Sequence, residues 1–347
     1  MDNHNRHSIL IIRMQALLQL AILCLSLQGC GLITDAVQLM WPLATDDISA
    51  ICRRGRLQVG IAAEPFQPFV FPAIFTDEGL RVTGMDVALV QEIARALEQR
   101  CGGHPVTPVL HLVRFRDLFV LLQEGKLDLF ASAISANVPS PARIGLAYSS
   151  PYFYDGGIAG ITRRPAVIDR LQTTLRLQAD QRDGLGAMKA AVTGLVVAVQ
   201  EGTSAHFYAL EHFAQTTLVI CDSLPAALEA QDPTIDVILG KLPVLQYTTT
   251  RTHKDWRLLT DITRTPVILT REQYAVVLGD EHDRLLRLVN DVIFKLDESG
   301  KLAQMRTRWL DERYAFPRRA ASEGLPFDIQ NMAVHYDQGQ CRPAPRR

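Results

Sequence analysis

Apolar and polar positions change their period several times along this chain, and the changes mark out alternating strands and helices. Leu57-Gln58-Val59-Gly60-Ile61 alternates and predicts a strand, followed by the loop Glu64 to Phe69. From Asp86 to Gln99, Val87, Val90, Ile93, Ala94 and Leu97 recur at helical spacing, so one face of a helix is buried there. A strand near Val109 to Val113, an amphipathic helix carrying Phe115 and Leu118 and ending at Gly125, and a buried strand Leu127 to Ala131 come next. Repeated β–loop–α–β of this kind is the pattern of a doubly wound α/β lobe. Gly156 to Arg164 predicts a strand leaving that lobe, and Pro165 to Thr193 is polar and helix-prone. A second series starts at Leu195 to Val199, turns through Gln200-Glu201-Gly202-Thr203-Ser204 into a helix, and continues with strands Leu218 to Cys221 and Asp236 to Leu239 around a helix beginning near Leu224. Helices Asp283 to Asp297 and Lys301 to Tyr314 follow, the first with a stripe of Leu285, Leu288, Val289, Val292, Ile293 and Leu296.

The N-terminus reads as a targeting segment. Arg6 and Arg13 precede the apolar run Met14 to Leu27, which is short for a membrane span and ends in Leu27-Gln28-Gly29-Cys30. The quartet resembles a bacterial lipobox, with Gln28 where a smaller residue is usual. That resemblance implies a lipoprotein signal over 1–29, lipid on Cys30 and a tether over 30–50. Gly31 in place of Asp favours the outer membrane in a diderm, so the expected location is periplasmic or extracytoplasmic with a lipid anchor. Export changes how the cysteines are read. Cys24 leaves with the signal and Cys30 carries lipid, so Cys52, Cys101, Cys221 and Cys341 remain, with three possible pairings in an oxidising compartment. Cys52 precedes the first strand and Cys101 follows the first helix, which favours Cys52–Cys101. Cys221–Cys341 then follows by elimination.

Composition narrows the field only slightly. Lysine and arginine total 36 against 37 acidic residues, a net charge of −1, which gives no pull toward nucleic acid. No CxxC or HExxH spacing occurs and the histidines are scattered, so neither a metal site nor a cofactor is expected.

Candidate chemistry concentrates between Phe115 and Tyr154. A polar loop leaves the end of the predicted strand Leu127 to Ala131, the place where ligands collect in open α/β sheets, and Arg143 follows it. An arginine there can grip a carboxylate through two parallel hydrogen bonds. Phe115, Leu118, Gly125-Lys126-Leu127-Asp128, the small-residue loop Ser132 to Ser135, Ser140-Pro141-Ala142-Arg143 and Tyr148-Ser149-Ser150-Pro151-Tyr152 occur in that order. In order and spacing they resemble the family 3 extracellular solute-binding proteins, receptors of amino-acid-type ABC importers. Asn137-Val138-Pro139 departs from the family pattern as an insertion.

The resemblance implies a type II periplasmic-binding-protein fold: two doubly wound α/β lobes joined by a two-crossing hinge. Lobe one is expected over 51–158 plus 268–316, with Tyr274 to Leu278 as its return strand, lobe two over 159–267, and a tail over 317–347. It implies a monomeric, non-enzymatic receptor that clamps a small carboxylate-bearing ligand and serves an ABC permease in the inner or cytoplasmic membrane. The implied ligand contacts are Phe66, Ser132, Ser135 and Arg143 from lobe one and Thr203, Ser204 and Lys241 from lobe two. Lys241 stands where these receptors usually carry an aspartate for the ligand's α-ammonium. A lysine there repels an ammonium by about 1 kcal/mol in water-like surroundings and about 4 kcal/mol at an effective dielectric of 20. Lys241 then either grips a second anionic group, as on a dicarboxylate, keto acid or phosphorylated compound, or turns away or pairs with Glu64. Two other functions fit the same residues: an accessory lipoprotein that binds a partner protein, as in quinoprotein operons, and a dehydratase or lyase with Glu64 as its acid or base.

Overall fold

The computed structural model describes residues 47–64, 66–136, 138, 143–177, 184–231, 234–311, 314–331 and 340–345. The signal, Cys30 and most of the tether lie outside these residues. The chain divides into two compact units at Ala50 and Ile51, and everything below concerns the second, Ile51–Arg347.

Strands β1 (Arg56–Ala62), β2 (Ile74–Thr76), β3 (Gly79–Val82), β4 (Thr107–Val113), β5 (Leu129–Ser135), β6 (Leu146–Tyr148) and β7 (Phe153–Gly156) precede the first crossing. Strands β8 (Ile158–Thr162), β9 (Val196–Gln200), β10 (Thr217–Cys221), β11 (Val237–Lys241) and β12 (Arg257–Leu258) belong to the second lobe. β13 (Glu272–Gly279), β14 (Leu325–Phe327) and β15 (Cys341–Pro343) complete the series. The first sheet runs β4–β1–β5–β13–β6, with β7 also paired to β13, and the second runs β12–β8–β11–β9–β10–β15. In the first, β4, β1 and β5 are parallel and β13 returns antiparallel. In the second, β10, β9 and β11 are parallel, flanked by antiparallel β8 and β15. Parallel neighbours need a crossover helix, and Met85–Arg100 and Asp117–Gln123 serve that role in the first lobe.

The apolar periods account for the packing. Val87, Val90, Ile93, Ala94 and Leu97 are all buried, as are Leu285, Val289, Val292, Ile293 and Leu296, while Leu288 is only half-buried. β5 is buried at every position because it lies between β1 and β13 under the helices. The second lobe gathers its own core from Val167, Leu171, Met188, Val197, Val199, Phe213 and Leu239.

The two crossings run side by side. Glu272 pairs with Gly156, and the Leu269 amide donates to the Ile158 carbonyl at 2.8 Å. A Cβ on Gly156 would lie 2.7 Å from the Glu272 carbonyl oxygen, and one on Gly157 2.3 Å from that of Thr270. Only glycine lets the two backbones approach this closely.

Two sequence expectations are corrected. The strand expected to end at Ala131 starts at Leu129 and runs to Ser135, so Ser132 to Ser135 is strand, not loop. Ahead of it, the Asp128 carboxylate accepts the Gln58 amide and pairs with Arg54, which fixes where pairing begins. The helix expected to reach Tyr314 is α-helical over Lys301–Arg306 and then widens to π geometry over Thr307–Asp311. The tail, whose sequence carries no structural expectation, is partly paired: β14 joins β3 and β2 in a separate three-stranded sheet, and β15 extends the second sheet beside β10. Cys341 of β15 is bonded to Cys221 of β10, and Cys52 to Cys101.

Candidate functional site

Three strand ends meet where the lobes join. β5 of the first lobe ends at Ser135, β11 of the second at Lys241, and β13 leaves the crossing at Glu272. Lys241 Nζ donates to Ser135 Oγ at 2.6 Å, lies 3.4 Å from Glu272 Oε2, and packs over the Tyr274 ring at 4.5 Å from its centroid. The Ser135 hydroxyl in turn donates to Glu272 Oε2. Arg143 donates to the Ser135 carbonyl, and its guanidinium lies 5.5 Å from the Phe119 ring centroid and 5.8 Å from that of Tyr148. Lys241 is 3% exposed and Glu272 4%, so the pair is dry, and a dry charge must be paired. Its polar atoms chain one lobe to the other through a hinge strand.

The electrostatics follow from that burial. Desolvation pushes the Glu272 carboxyl up, but the Lys241 ammonium, with the Ser135 and Ser204 hydroxyls, outweighs it and holds the group below its ordinary value. For Lys241, burial and then the neighbouring Arg143 draw the pKa down, against the pull of Glu272. The two directions oppose each other; we take the pair as ionised, because its hydrogen bonds and the Tyr274 face all favour the charged forms. Asp86, fully buried nearby, accepts from the Tyr152 hydroxyl at 2.6 Å and the Ala133 amide at 2.7 Å, and burial raises its pKa to about 7.

Phe66 stacks on Phe115 at 5.9 Å between ring centroids. It also walls a cavity of about 20 Å3, room for one water molecule, with Gln200, Thr203, Leu224, Val244 and Lys241 among the other lining residues. Thr203 caps the helix Ser204–His212 by accepting the His206 amide and gives its own proton to the Gln200 carbonyl, so its hydroxyl is spent on the turn. Ser204 Oγ is near enough to Glu272 to favour its charged form, yet it makes no well-formed hydrogen bond, and neither does either amide atom of buried Gln200 among the described residues. At the rim, Arg116 of the first lobe pairs with Glu201 of the second, which also holds Arg342 of β15.

Of the residues singled out from sequence, Ser135, Arg143 and Lys241 form one network, Ser204 borders it, and Phe66 and Thr203 line the adjoining cavity together with Lys241. Ser132 is set apart: its hydroxyl accepts the Ala62 amide at 2.8 Å and donates to the Ala131 carbonyl, tying β5 to β1. Lys241 does not turn away and does not pair with Glu64. Both oxygens of Glu64 instead face the Phe115 amide, at 3.2 and 3.3 Å, and burial raises its pKa to about 7.

Comparison with known proteins identifies the family. The sequence model for bacterial extracellular solute-binding proteins, family 3, matches residues 57–312. The chain belongs to that family. Among solved structures, a mutant of ArgBP from T. maritima is 25% identical over 77% of this chain and 100% of its own, with a TM-score of 0.59. An amino acid ABC transporter substrate-binding protein from Streptococcus pneumoniae, bound to L-arginine, is 22% identical over 80% of this chain and 98% of its own, at 0.60. The ancestral amino acid-binding protein AncCDT-1, a precursor of cyclohexadienyl dehydratase, is 20% identical over 76% of this chain and 99% of its own, at 0.58. No curated protein sequence matches.

For a family 3 solute-binding protein, the two residues that sequence reasoning missed are Glu272 and Gln200. Glu272 carried a signal, a lone acid heading the apolar run Tyr274 to Leu278. Gln200 carried a weaker one, a polar residue closing the strand Leu195 to Val199. No helix among the described residues is long and apolar enough to cross a membrane.

Proposed function

We infer that this chain is an extracytoplasmic receptor that closes its two lobes on a small carboxylate-bearing ligand and presents it to an ABC permease. The observation that carries this is the convergence of Arg143 and Ser135 from the first lobe with Lys241 from the second, beside a cavity closed by Phe66. A buried guanidinium backed by two aromatic faces is suited to a carboxylate, and a site on two lobes gains its water exclusion only on closing. The Lys241–Glu272 contact argues against Lys241 as a free cation for a second anionic group, and so favours ligands with one negative charge. The lipobox-like quartet Leu27 to Cys30 fits an extracytoplasmic receptor with a lipid anchor, and a monomer is the expected form.

A thermal-shift screen of purified protein against small organic acids tests the reading. A ligand that binds the folded chain alone raises its melting temperature by mass action, about 2.7 kcal/mol of stabilisation at a hundredfold excess over Kd. A carboxylate that does so, and loses the effect in Arg143→Ala, supports the receptor. Stabilisation by a protein partner alone, indifferent to Arg143, overturns it.

A further inference from the structure

The site already contains an ammonium and a carboxylate of its own. Lys241 Nζ and Glu272 Oε2 are 3.4 Å apart, bridged by the Ser135 hydroxyl, which accepts a hydrogen bond from Lys241 at 2.6 Å and donates one to Glu272. A free α-amino acid carries the same two charges. Arg143 can meet its carboxylate, but its ammonium also needs an acceptor, and the carboxylates around the site are committed. Glu272 is held by Lys241 and Ser135, Asp86 by Tyr152 and the Ala133 amide, and Glu64 by the Phe115 amide. An incoming ammonium would meet Lys241 and Arg143 instead, in a setting where burial strengthens like-charge repulsion.

The charge balance points the same way. Arg143 and Lys241 face one firmly ionised carboxylate, Glu272, since burial leaves Asp86 about half protonated near neutrality. That leaves a place for one negative charge. Around the site, the buried side-chain atoms without a well-formed hydrogen bond among the described residues are neutral: both amide atoms of Gln200 and the hydroxyls of Ser204, Tyr148 and Tyr274. A buried polar group without a partner is the mark of a contact completed by something else. Gln200 borders the cavity, whose other walls include Leu224, Val244 and Leu245.

We propose that Lys241 and Glu272 form a built-in ion pair standing in for a ligand ammonium, so that the site selects small 2-oxo or 2-hydroxy monocarboxylates over the α-amino acids of the same skeleton. Arg143 takes the carboxylate, Gln200 or Ser204 takes the 2-oxygen, and the apolar tail faces Leu224, Val244 and Leu245, whose cavity has room for one water molecule and must widen to admit it. Glu272 is a specificity-determining residue that acts by holding Lys241 in place. The proposal rests on the receptor reading above.

The test is calorimetry with matched pairs: pyruvate against L-alanine, and 4-methyl-2-oxopentanoate against L-leucine. The native protein should bind at least one oxo acid tenfold or more tighter than its amino-acid partner. In Lys241→Met the buried Glu272 is left needing a cation, so the order should reverse. The double variant Lys241→Met, Glu272→Gln removes both charges and should bind both members of a pair within a few-fold of each other, which keeps the test open if the single variant folds poorly. Equal or tighter amino-acid binding by the native protein overturns the proposal, as does an unchanged order in Lys241→Met. If such amino-acid binding is abolished by Arg143→Ala, the receptor reading stands and only the ion-pair inference falls. Failure of all four compounds to bind overturns this ligand class, whereas the receptor reading falls only if every ligand found by screening ignores Arg143.

Discussion

Replacing Asp86 with Asn should remove a large share of the pH dependence of this protein's stability, leaving that of Glu64. Asp86 is completely buried and accepts hydrogen bonds from Tyr152 and the Ala133 amide, and desolvation raises its pKa from an ordinary 3.8 to about 7. With the folded pKa above the unfolded one, an acid is protonated in the folded chain while still ionised in the unfolded chain throughout that interval. Unfolding then releases a proton, so stability falls as pH rises from about 4 to about 7 and levels off above. At about 1.36 kcal/mol per tenfold, the whole loss amounts to roughly 4 kcal/mol, of which roughly 2–3 kcal/mol is lost between pH 5 and pH 8. Asparagine keeps the shape and can accept the Ala133 amide while donating to the Tyr152 oxygen, but it carries no such titration. Denaturant melts of both proteins at pH 5 and pH 8 provide the assay. Asp86→Asn should gain roughly 2–3 kcal/mol relative to the native chain on going from the lower pH to the higher. A difference between the two that stays constant with pH would refute the burial argument, because it would mean that Asp86 has the same pKa folded and unfolded.

Two further outcomes follow from the crossing and the tail. Gly156→Ala forces a Cβ within 2.7 Å of the Glu272 carbonyl and the Tyr274 ring, so it should cost about 1–3 kcal/mol in a thermal melt, and an unchanged melting temperature would show that the crossings have slack. Cys341→Ser opens a loop spanning 120 residues and frees β15, which should cost roughly 2–5 kcal/mol, matched by mild reduction of that bond in the native protein; indifference to both would mean that the tail adds nothing to the second lobe.

The doubly wound pattern was legible because buried faces leave periods. The stripe Val87 to Leu97 is a direct consequence of one-sided burial, whereas the run Leu57 to Ile61 is that of a central strand buried on both faces apart from half-buried Gln58. The helix and strand found there differ from expectation by a residue at each end. Ser132 to Ser135 was misread because a run of Ser and Ala has no hydrophobic contrast. Its burial comes from β1 and β13 on either side, the latter more than a hundred residues away, and Ala133 adopts a φ of 50° that local pattern does not foretell. β15 is three residues long, too short for any period, and only Cys341 hinted that the tail was fastened. The position of Lys241 was readable, but its partner was not. Glu272 lies 31 residues further on and reaches it only because two crossings bring β11 and β13 together.

Arg143 carries the central claim, and one titration tests it most directly. With a carboxylate identified by thermal shift, calorimetry on the native protein and on Arg143→Ala should show an affinity loss of at least about tenfold, since each charge-assisted hydrogen bond contributes roughly 1.5–3 kcal/mol. Equal affinity in a variant with an intact melting profile would place the arginine outside the site and contradict the account.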